Sequence, residues 1–154
     1  MRRIVVVRAL LAIIVLALAL SPALLARQSE PAQSGKLAIS VEYTGKGTVD
    51  KDHRLWMWVF DTPDSSTWPG TTPLAVAMLT ENGATYKFTG LPKHVYFGVA
   101  YDEVGGYDGT AGAPPAGTPI SVYGMAEGGA AKAVDTGGDD AAVKATFDDS
   151  FRMP

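Results

Sequence analysis

Short runs in which apolar residues occupy every second position recur along the chain, and this period of two constrains the fold most. In residues 36–44 the apolar positions are Leu37, Ile39, Val41 and Tyr43. Because successive side chains of a strand point to opposite faces of a sheet, the pattern predicts a strand with one buried face. The alternation returns in residues 95–101 and 143–147. The chain is therefore predicted to be built from β-strands.

Residues 54–60 (RLWMWVF) lack this alternation, because almost every position is apolar. A run so rich in aromatic residues predicts a central strand that is buried on both faces. Trp56 and Trp58 stand two residues apart and therefore share one face of the strand. We expect both in the core, since a mid-strand tryptophan is usually well buried, and we expect Trp68 in the next loop to be more exposed. The alternative is an exposed aromatic face that stacks on sugar rings or on a partner protein.

Turn signals separate the apolar runs. Asn82-Gly83 follows the run 73–80, and this pair is the strongest short signal for a hairpin, so we expect that run to pair with the strand directly after the turn. Gly90-Leu91-Pro92 makes the next turn, and the low complexity of residues 126–141 predicts a loop. Six or seven short, mainly antiparallel strands of this kind predict an all-β sandwich.

The N-terminus has the organisation of an export signal. Two arginines stand near its start, residues 9–20 form an uncharged apolar run, and Ser21-Pro22 ends that run. Small residues at Ala23 and Ala26 offer cleavage sites. We expect residues 1–26 to be a helical signal peptide. The alternative is an uncleaved membrane anchor, which needs about 20 apolar residues.

The remaining chain predicts one domain. Polar residues 27–35 indicate a disordered linker, residues 36–149 a single β-sandwich domain, and residues 150–154 a C-terminal tail. The chain has no cysteine, so its stability has to come from a packed core, and a lipoprotein anchor on a cysteine is excluded. We expect the protein in the periplasm or outside the cell.

The charge balance excludes some partners. Removal of the signal peptide leaves ten Lys and Arg against sixteen Asp and Glu, a net charge near −6. Nucleic acids attract proteins with clustered basic residues, so nucleic acid is not an expected partner. A membrane contact is expected only if the N-terminal helix is not cleaved.

Residues 88–102 resemble a known family. Phe88-Thr89-Gly90-Leu91-Pro92, then Tyr96 and Val99-Ala100-Tyr101-Asp102, is similar to a stretch of carboxypeptidase-regulatory-like domains, which are transthyretin-like (prealbumin-like) β-sandwiches of exported bacterial proteins. The resemblance covers roughly residues 37–147 and implies a seven-stranded sandwich with a binding or spacer role. One transthyretin relative is a hydrolase with a C-terminal Tyr-Arg-Gly-Ser signature, which this chain lacks. The expected fold is thus an immunoglobulin-like or transthyretin-like sandwich after a signal helix.

Familiar catalytic motifs are absent from the sequence. The two histidines, His53 and His94, stand next to predicted turns, and neither a nucleophile-elbow motif nor a zinc-binding HExxH motif occurs. No catalytic residue is predicted. We expect a non-enzymatic binding or structural module with a protein or glycan partner. The alternative is a hydrolase of unfamiliar design, in which Asp61, Asp102, Asp108 and a histidine would converge in one pocket.

Residues 102–117 (DEVGGYDGTAGAPPAG) are rich in glycine and hold almost no side chain suited to a core. Asp102, Glu103 and Asp108 are candidate calcium ligands, because calcium prefers six to eight oxygen ligands in a flexible loop. The alternate-position pattern of a calcium loop is missing, since Val104 stands where the second ligand belongs. We therefore expect a connecting loop and no cofactor, with a degenerate calcium site as the alternative.

Two smaller expectations concern polar and aromatic loop residues. Asp50, Asp52 and His53 could gather as metal ligands on one turn, although three adjacent polar residues before a buried strand more simply indicate a solvated turn. For contact with a ligand we expect Trp68, which stands in a loop, together with Asp61 and Tyr107.

Overall fold

The computed structural model describes residues 34–125, 130–138 and 141–154. Within these ranges it contains eight strands and one 3-10 helix, Ser65–Gly70. The strands are β1 (Gly35–Tyr43), β2 (Leu55–Phe60), β3 (Ala75–Leu79), β4 (Thr85–Leu91), β5 (His94–Tyr101), β6 (Ile120–Val122), β7 (Val134–Asp135) and β8 (Ala141–Phe147).

The strands form two sheets, which confirms the predicted all-β class. One sheet has the order β4-β1-β8, and the other has the order β3-β2-β5-β6, with β7 paired to β5 outside that path. Strand pairing is antiparallel except between β1 and β8, which run parallel. The two-residue β7, which lies in a predicted loop, accounts for the difference from the six or seven strands expected.

The main core consists of the side chains that alternation predicted to face inward. Leu37, Ile39 and Val41 of β1 are buried together with Val95, Phe97, Val99 and Tyr101 of β5. Leu55, Met57 and Val59 of β2 belong to the same cluster. Because β1 lies in one sheet and β2 and β5 lie in the other, this cluster holds the two sheets together.

Strand β2 is central, as its composition predicts, because it lies between β3 and β5 and all six of its residues are buried. Its second face carries Trp56, Trp58 and Phe60, which form a separate cluster with Ala100 of β5. The five-stranded sheet is therefore apolar on both faces.

The hairpin predicted at Asn82-Gly83 is wrong, because β3 and β4 belong to different sheets. Gly83 has the positive φ of 78° that the pair suggests. The Asn82 side chain, however, accepts a hydrogen bond from Tyr43 N at 2.7 Å and donates one to Tyr43 O at 2.8 Å. Gly83 N donates to Val41 O at 2.8 Å. These bonds attach the turn to β1 and direct β4 into the three-stranded sheet.

The turn at Gly90-Leu91-Pro92 likewise connects the two sheets, since β4 and β5 lie on opposite sides of the core. The loop predicted over residues 126–141 is wrong in part, because β7 lies within it and buries Val134. Low complexity concealed this strand, which is only two residues long. Residues 126–129 and 139–140 lie outside the described part.

The predictions for the two chain ends have different outcomes. The predicted signal peptide, residues 1–26, and the linker up to residue 33 lie outside the described residues. Strand β1 begins at Gly35, the last residue assigned to the linker. The tail at residues 150–154 is not separate from the domain, because Arg152 forms a β-bridge with Pro119. In the part of the chain that the structure describes, no helix is both long enough and apolar enough to cross a membrane.

Candidate binding groove

The outer face of the five-stranded sheet combines large rings with very small neighbours. Trp58 of β2 is paired with Gly98 of β5, and Trp56 is paired with Ala100. Side chains directly opposite each other in an antiparallel pair lie on the same face of the sheet. The missing side chain at Gly98 therefore leaves space beside the ring of Trp58, and loop residues enter that space.

Trp68, on the 3-10 helix, enters the space beside Gly98. Asp64 caps this helix by accepting a hydrogen bond from Ser66 N at 3.1 Å. The ring of Trp68 stacks on Phe60 at 4.4 Å between centroids and 12° between planes, and its Nε1 donates to Thr62 O at 3.1 Å. A Cβ atom at Gly98 would lie 3.1 Å from Trp68 Cζ3, so a larger residue there would require the Trp68 ring to shift by a few tenths of an ångström. Trp68 is half-buried, whereas Trp56 and Trp58 are buried.

Residues 102–117 connect β5 to β6 and also cover the tryptophans. Tyr107 packs edge-on against Trp56 at 5.9 Å and lies 6.2 Å from Trp58. Trp58 Nε1 donates to Gly109 O at 2.7 Å. A Cβ atom at Gly109 would lie 2.2 Å from Trp56 Cε3, so only glycine fits against that ring. The expectation that the loop holds almost no side chain suited to a core is thus wrong at Tyr107.

The loop and the helix leave an open groove of about 660 Å³ between them. Its walls include the rings of Trp58, Phe60 and Trp68, the loop residues 109–114, and Ile120 and Val122 of β6. Its rim includes Met125 and Phe151, which are 40% and 46% exposed. Among the described residues that line it there is no Asp, Glu, His, Lys or Arg side chain. The described lining is therefore mostly apolar, with several hydroxyl groups and no charged side chain.

The three candidate calcium ligands have separate protein partners. Asp102 is 5% exposed, and its two carboxylate oxygens accept hydrogen bonds from Gly105 N and Tyr107 N, each at 2.9 Å. Glu103 forms an ion pair with Arg152 at 2.7 Å. Asp108 accepts from the Thr110 hydroxyl at 2.7 Å, and this bond lowers the pKa of the Asp108 carboxyl. No group of three or more His, Asp or Glu suited to a metal occurs within residues 34–125, 130–138 and 141–154.

The groups of the hydrolase alternative also lie apart from the groove. Asp61 is exposed directly after β2, and His94 is exposed at the start of β5. His53 Nδ1 lies 3.1 Å from Asp50 Oδ1 on one turn, where Asp50 also accepts from the backbone N–H of Asp52 and His53. These backbone bonds and the His53 contact lower the pKa of Asp50, as expected for a capped turn.

Of the three residues expected to contact a ligand, Trp68 lines the groove. Tyr107 packs behind it against the tryptophans, and Asp61 is not among the lining residues. The sequence-based expectations missed Phe60, Gly98, Met125 and Phe151. The spacing of Trp58 and Phe60 placed both on one face, but the residue opposite them depends on the strand register, which no local pattern contains.

No family model, curated protein or solved structure matches this chain. The similarity of residues 88–102 to carboxypeptidase-regulatory-like domains therefore stays an expectation from the sequence.

Proposed function

We propose that this protein is an exported, non-enzymatic binding module whose outer groove receives apolar side chains from a segment of a protein partner. The mostly apolar groove of about 660 Å³ on the five-stranded sheet carries the proposal. Its volume lies in the range of about 300–1,000 Å³ that is typical of ligand sites, and such sites are mostly apolar with a few polar groups.

The lining determines the charge of the ligand. A charged group that enters the groove would lose its hydration and meet no side chain of opposite charge among the described lining residues. The hydroxyls of Ser66, Thr71 and Thr110 already donate to acceptors of their own loops. Few polar groups thus remain for a ligand rich in hydroxyls, and an apolar ligand fits better.

The rings of the groove favour a protein partner over a glycan. A sugar stacks on an exposed ring face, but Trp58 and Phe60 are only 8% and 5% exposed, and Phe60 covers one face of Trp68. Met125 on the rim is 40% exposed, and methionine is enriched in protein interfaces.

The strand order differs from that of an immunoglobulin-like sandwich, one of the two types expected from the sequence. In the immunoglobulin constant arrangement the first, second, fourth and fifth strands share one sheet. Here β1 and β4 share one sheet while β2 and β5 share the other. We propose the transthyretin-like type, as the resemblance of residues 88–102 implies, and a periplasmic or secreted location, which the apolar N-terminal run supports.

Selection of a displayed library of random peptides on the purified protein tests the function. We expect the enriched peptides to share aromatic or aliphatic residues, whose side chains fit a mostly apolar lining. Trp68→Ala removes one wall of the groove and should weaken their binding at least about tenfold, which corresponds to about 1.4 kcal/mol.

Tyr86→Ala is the matched control, because Tyr86 is an aromatic residue of β4, 40% exposed, on the other sheet. Binding should be unchanged in this variant. Equal losses in the two variants, or binding of neutral oligosaccharides in place of peptides, would contradict a groove for protein segments.

A further inference from the structure

The C-terminal tail, residues 150–154, already adds a short strand to the free side of β6. Gly117 N donates to Met153 O at 2.8 Å, Met153 N donates to Thr118 O at 2.9 Å, and Ile120 N donates to Phe151 O at 3.0 Å. These are the reciprocal bonds of an antiparallel pair, and they satisfy backbone groups that an edge strand would otherwise leave open.

The side chains of the tail alternate as in any strand. Phe151 and Met153 line the groove, whereas Arg152 between them bonds to Glu103 at 2.7 Å and to Gly117 O at 2.6 Å. A second guanidinium nitrogen of Arg152 lies 3.3 Å from Asp149. The groove is thus lined in part by an apolar-basic-apolar segment of the same chain, whose basic side chain is held by two carboxylates.

The attachment of the tail is weak. The Arg152 side chain is 38% exposed and its partner Glu103 is 48% exposed, and exposed ion pairs contribute about 0–1 kcal/mol and are screened by salt. Phe151 is 46% exposed, so its burial against the groove is incomplete. Three edge hydrogen bonds at about 0.5–1.5 kcal/mol each complete the attachment.

We propose that the tail is an internal competitor for the partner, and that the partner binds by replacing it. The partner would be an extended segment with apolar residues at alternate positions and a lysine or arginine between them. It would pair with residues 117–120, insert its apolar side chains into the groove, and place its basic group at Glu103 and Asp149. This is strand addition to a sheet edge, in which backbone bonds supply affinity and alternate side chains supply specificity. The inference rests on the proposed binding function and assigns its partner class.

A fluorescent peptide with the sequence of residues 147–154 (FDDSFRMP) is the probe. The covalently attached tail competes at an effective concentration in the millimolar range, so the full chain should bind the peptide poorly. A chain that ends after Ser150 should bind it at least about tenfold more tightly. A peptide with glutamate in place of its arginine should lose that gain.

Arg152→Glu in the full chain avoids truncation, because the reversed charge is repelled by Glu103 and Asp149 and should release the tail. Lys144→Glu is the matched control, since it makes the same change at an ion pair with Glu42 on the other sheet. We expect tighter peptide binding in Arg152→Glu and unchanged binding in Lys144→Glu, with thermal unfolding confirming that each variant is folded. If the folded truncated chain and Arg152→Glu bind the peptide no better than the full chain, the proposal is overturned.

Two comparisons separate this inference from the proposed function. If peptides selected on the full chain bind the truncated chain with the same affinity, the groove binds ligands and the tail does not compete, so the inference fails alone. If the truncated chain binds the tail peptide equally well with Trp68→Ala, the edge accepts a strand without the groove. In that case the tail inference stands and the groove function fails.

Discussion

The two faces of the five-stranded sheet are both apolar, but they are covered in different ways. On the inner face Leu55, Met57 and Val59 pack against the second sheet and are completely buried. On the outer face Trp56 and Trp58 are covered by a loop and leave an open groove beside them. A second sheet closes a core along its whole length, whereas loops close only the places that they reach.

The two faces also differ in polar requirements. The aliphatic inner side chains need no hydrogen-bond partner. The outer indoles each carry an N–H donor, and Trp58 Nε1 donates to Gly109 O, while Trp56 Nε1 is buried without a partner in the described part of the chain. A core of tryptophans therefore needs backbone acceptors at fixed places, and the covering loop supplies one of them.

The largest effect should come from the inner face. Phe97 is fully buried and stacks on Tyr123 at 4.7 Å, so Phe97→Ala should lower the free energy of unfolding by about 3–5 kcal/mol. Denaturation with urea measures this loss. A loss below about 1 kcal/mol would mean that the inner face tolerates a cavity, and the contrast between the faces would then disappear.

The covering of the outer face depends on Gly109. Gly109→Ala places a methyl group 2.2 Å from Trp56 Cε3, so the loop has to shift, and overpacking of this kind typically costs about 1–3 kcal/mol. The near-ultraviolet circular dichroism of the tryptophans should change as well. Gly70→Ala is the control, because a Cβ atom there meets nothing within 4 Å. Equal stability of the two variants would show that the loop does not cover Trp56.

The start of the loop depends on Asp102. Asp102→Ala leaves Gly105 N and Tyr107 N without their acceptor, and we expect a loss of about 1–2 kcal/mol because these groups are partly buried. Asp102→Asn keeps one acceptor oxygen and should lose about half as much. Urea denaturation measures both losses. An equal loss of unfolding free energy in Asp102→Asn and Asp102→Ala would contradict this prediction.

The faces differ in how far the sequence predicts them. The inner faces of β1 and β5 follow from alternation, which is a local property of each strand. The outer covering does not, because Tyr107 and Gly109 contact Trp56 across about fifty residues of sequence, and their positions depend on the register of β2 and β5. The Asn82-Gly83 turn shows the same limit. The positive φ of Gly83 is local, but the sheet that β4 joins is decided by bonds to β1.

Burial of Tyr107 makes the covering of the outer face depend on pH. Burial against the tryptophans raises the pKa of Tyr107 to about 12, with smaller contributions from the charges of Asp108 and Asp102. The pKa is higher in the folded state, so its contribution to stability is complete below pH 10 and is lost as the pH rises through about 12. Burial also raises the pKa of Tyr101 and, more strongly, that of Tyr43.

A titration followed by the ultraviolet absorbance of phenolate tests the raised pKa of Tyr107. Tyr107→Phe should remove a component near pH 12, and stability should fall less steeply above pH 10 in this variant. Tyr86→Phe, on the exposed side of β4, should leave that component in place. If the titration component that Tyr107→Phe removes instead lies near pH 10, the ordinary pKa of tyrosine, the outer cluster does not bury the phenol.

The smallest expected effect concerns calcium and the acidic loop. Asp102 already accepts two backbone hydrogen bonds, Glu103 is paired with Arg152, and Asp108 accepts from Thr110, so each carboxylate has a partner that an ion would have to replace. Binding of calcium to the folded state at a hundredfold excess over Kd would add about 2.7 kcal/mol of stability. Simple screening of charge adds far less. We therefore expect the Tm to change by no more than about one or two degrees between chelator and calcium at about a millimolar, and Asp108→Ala to leave this response unchanged. A calcium-dependent rise in Tm of about 5 °C that Asp108→Ala abolishes would show that the loop of residues 102–117 is a calcium site.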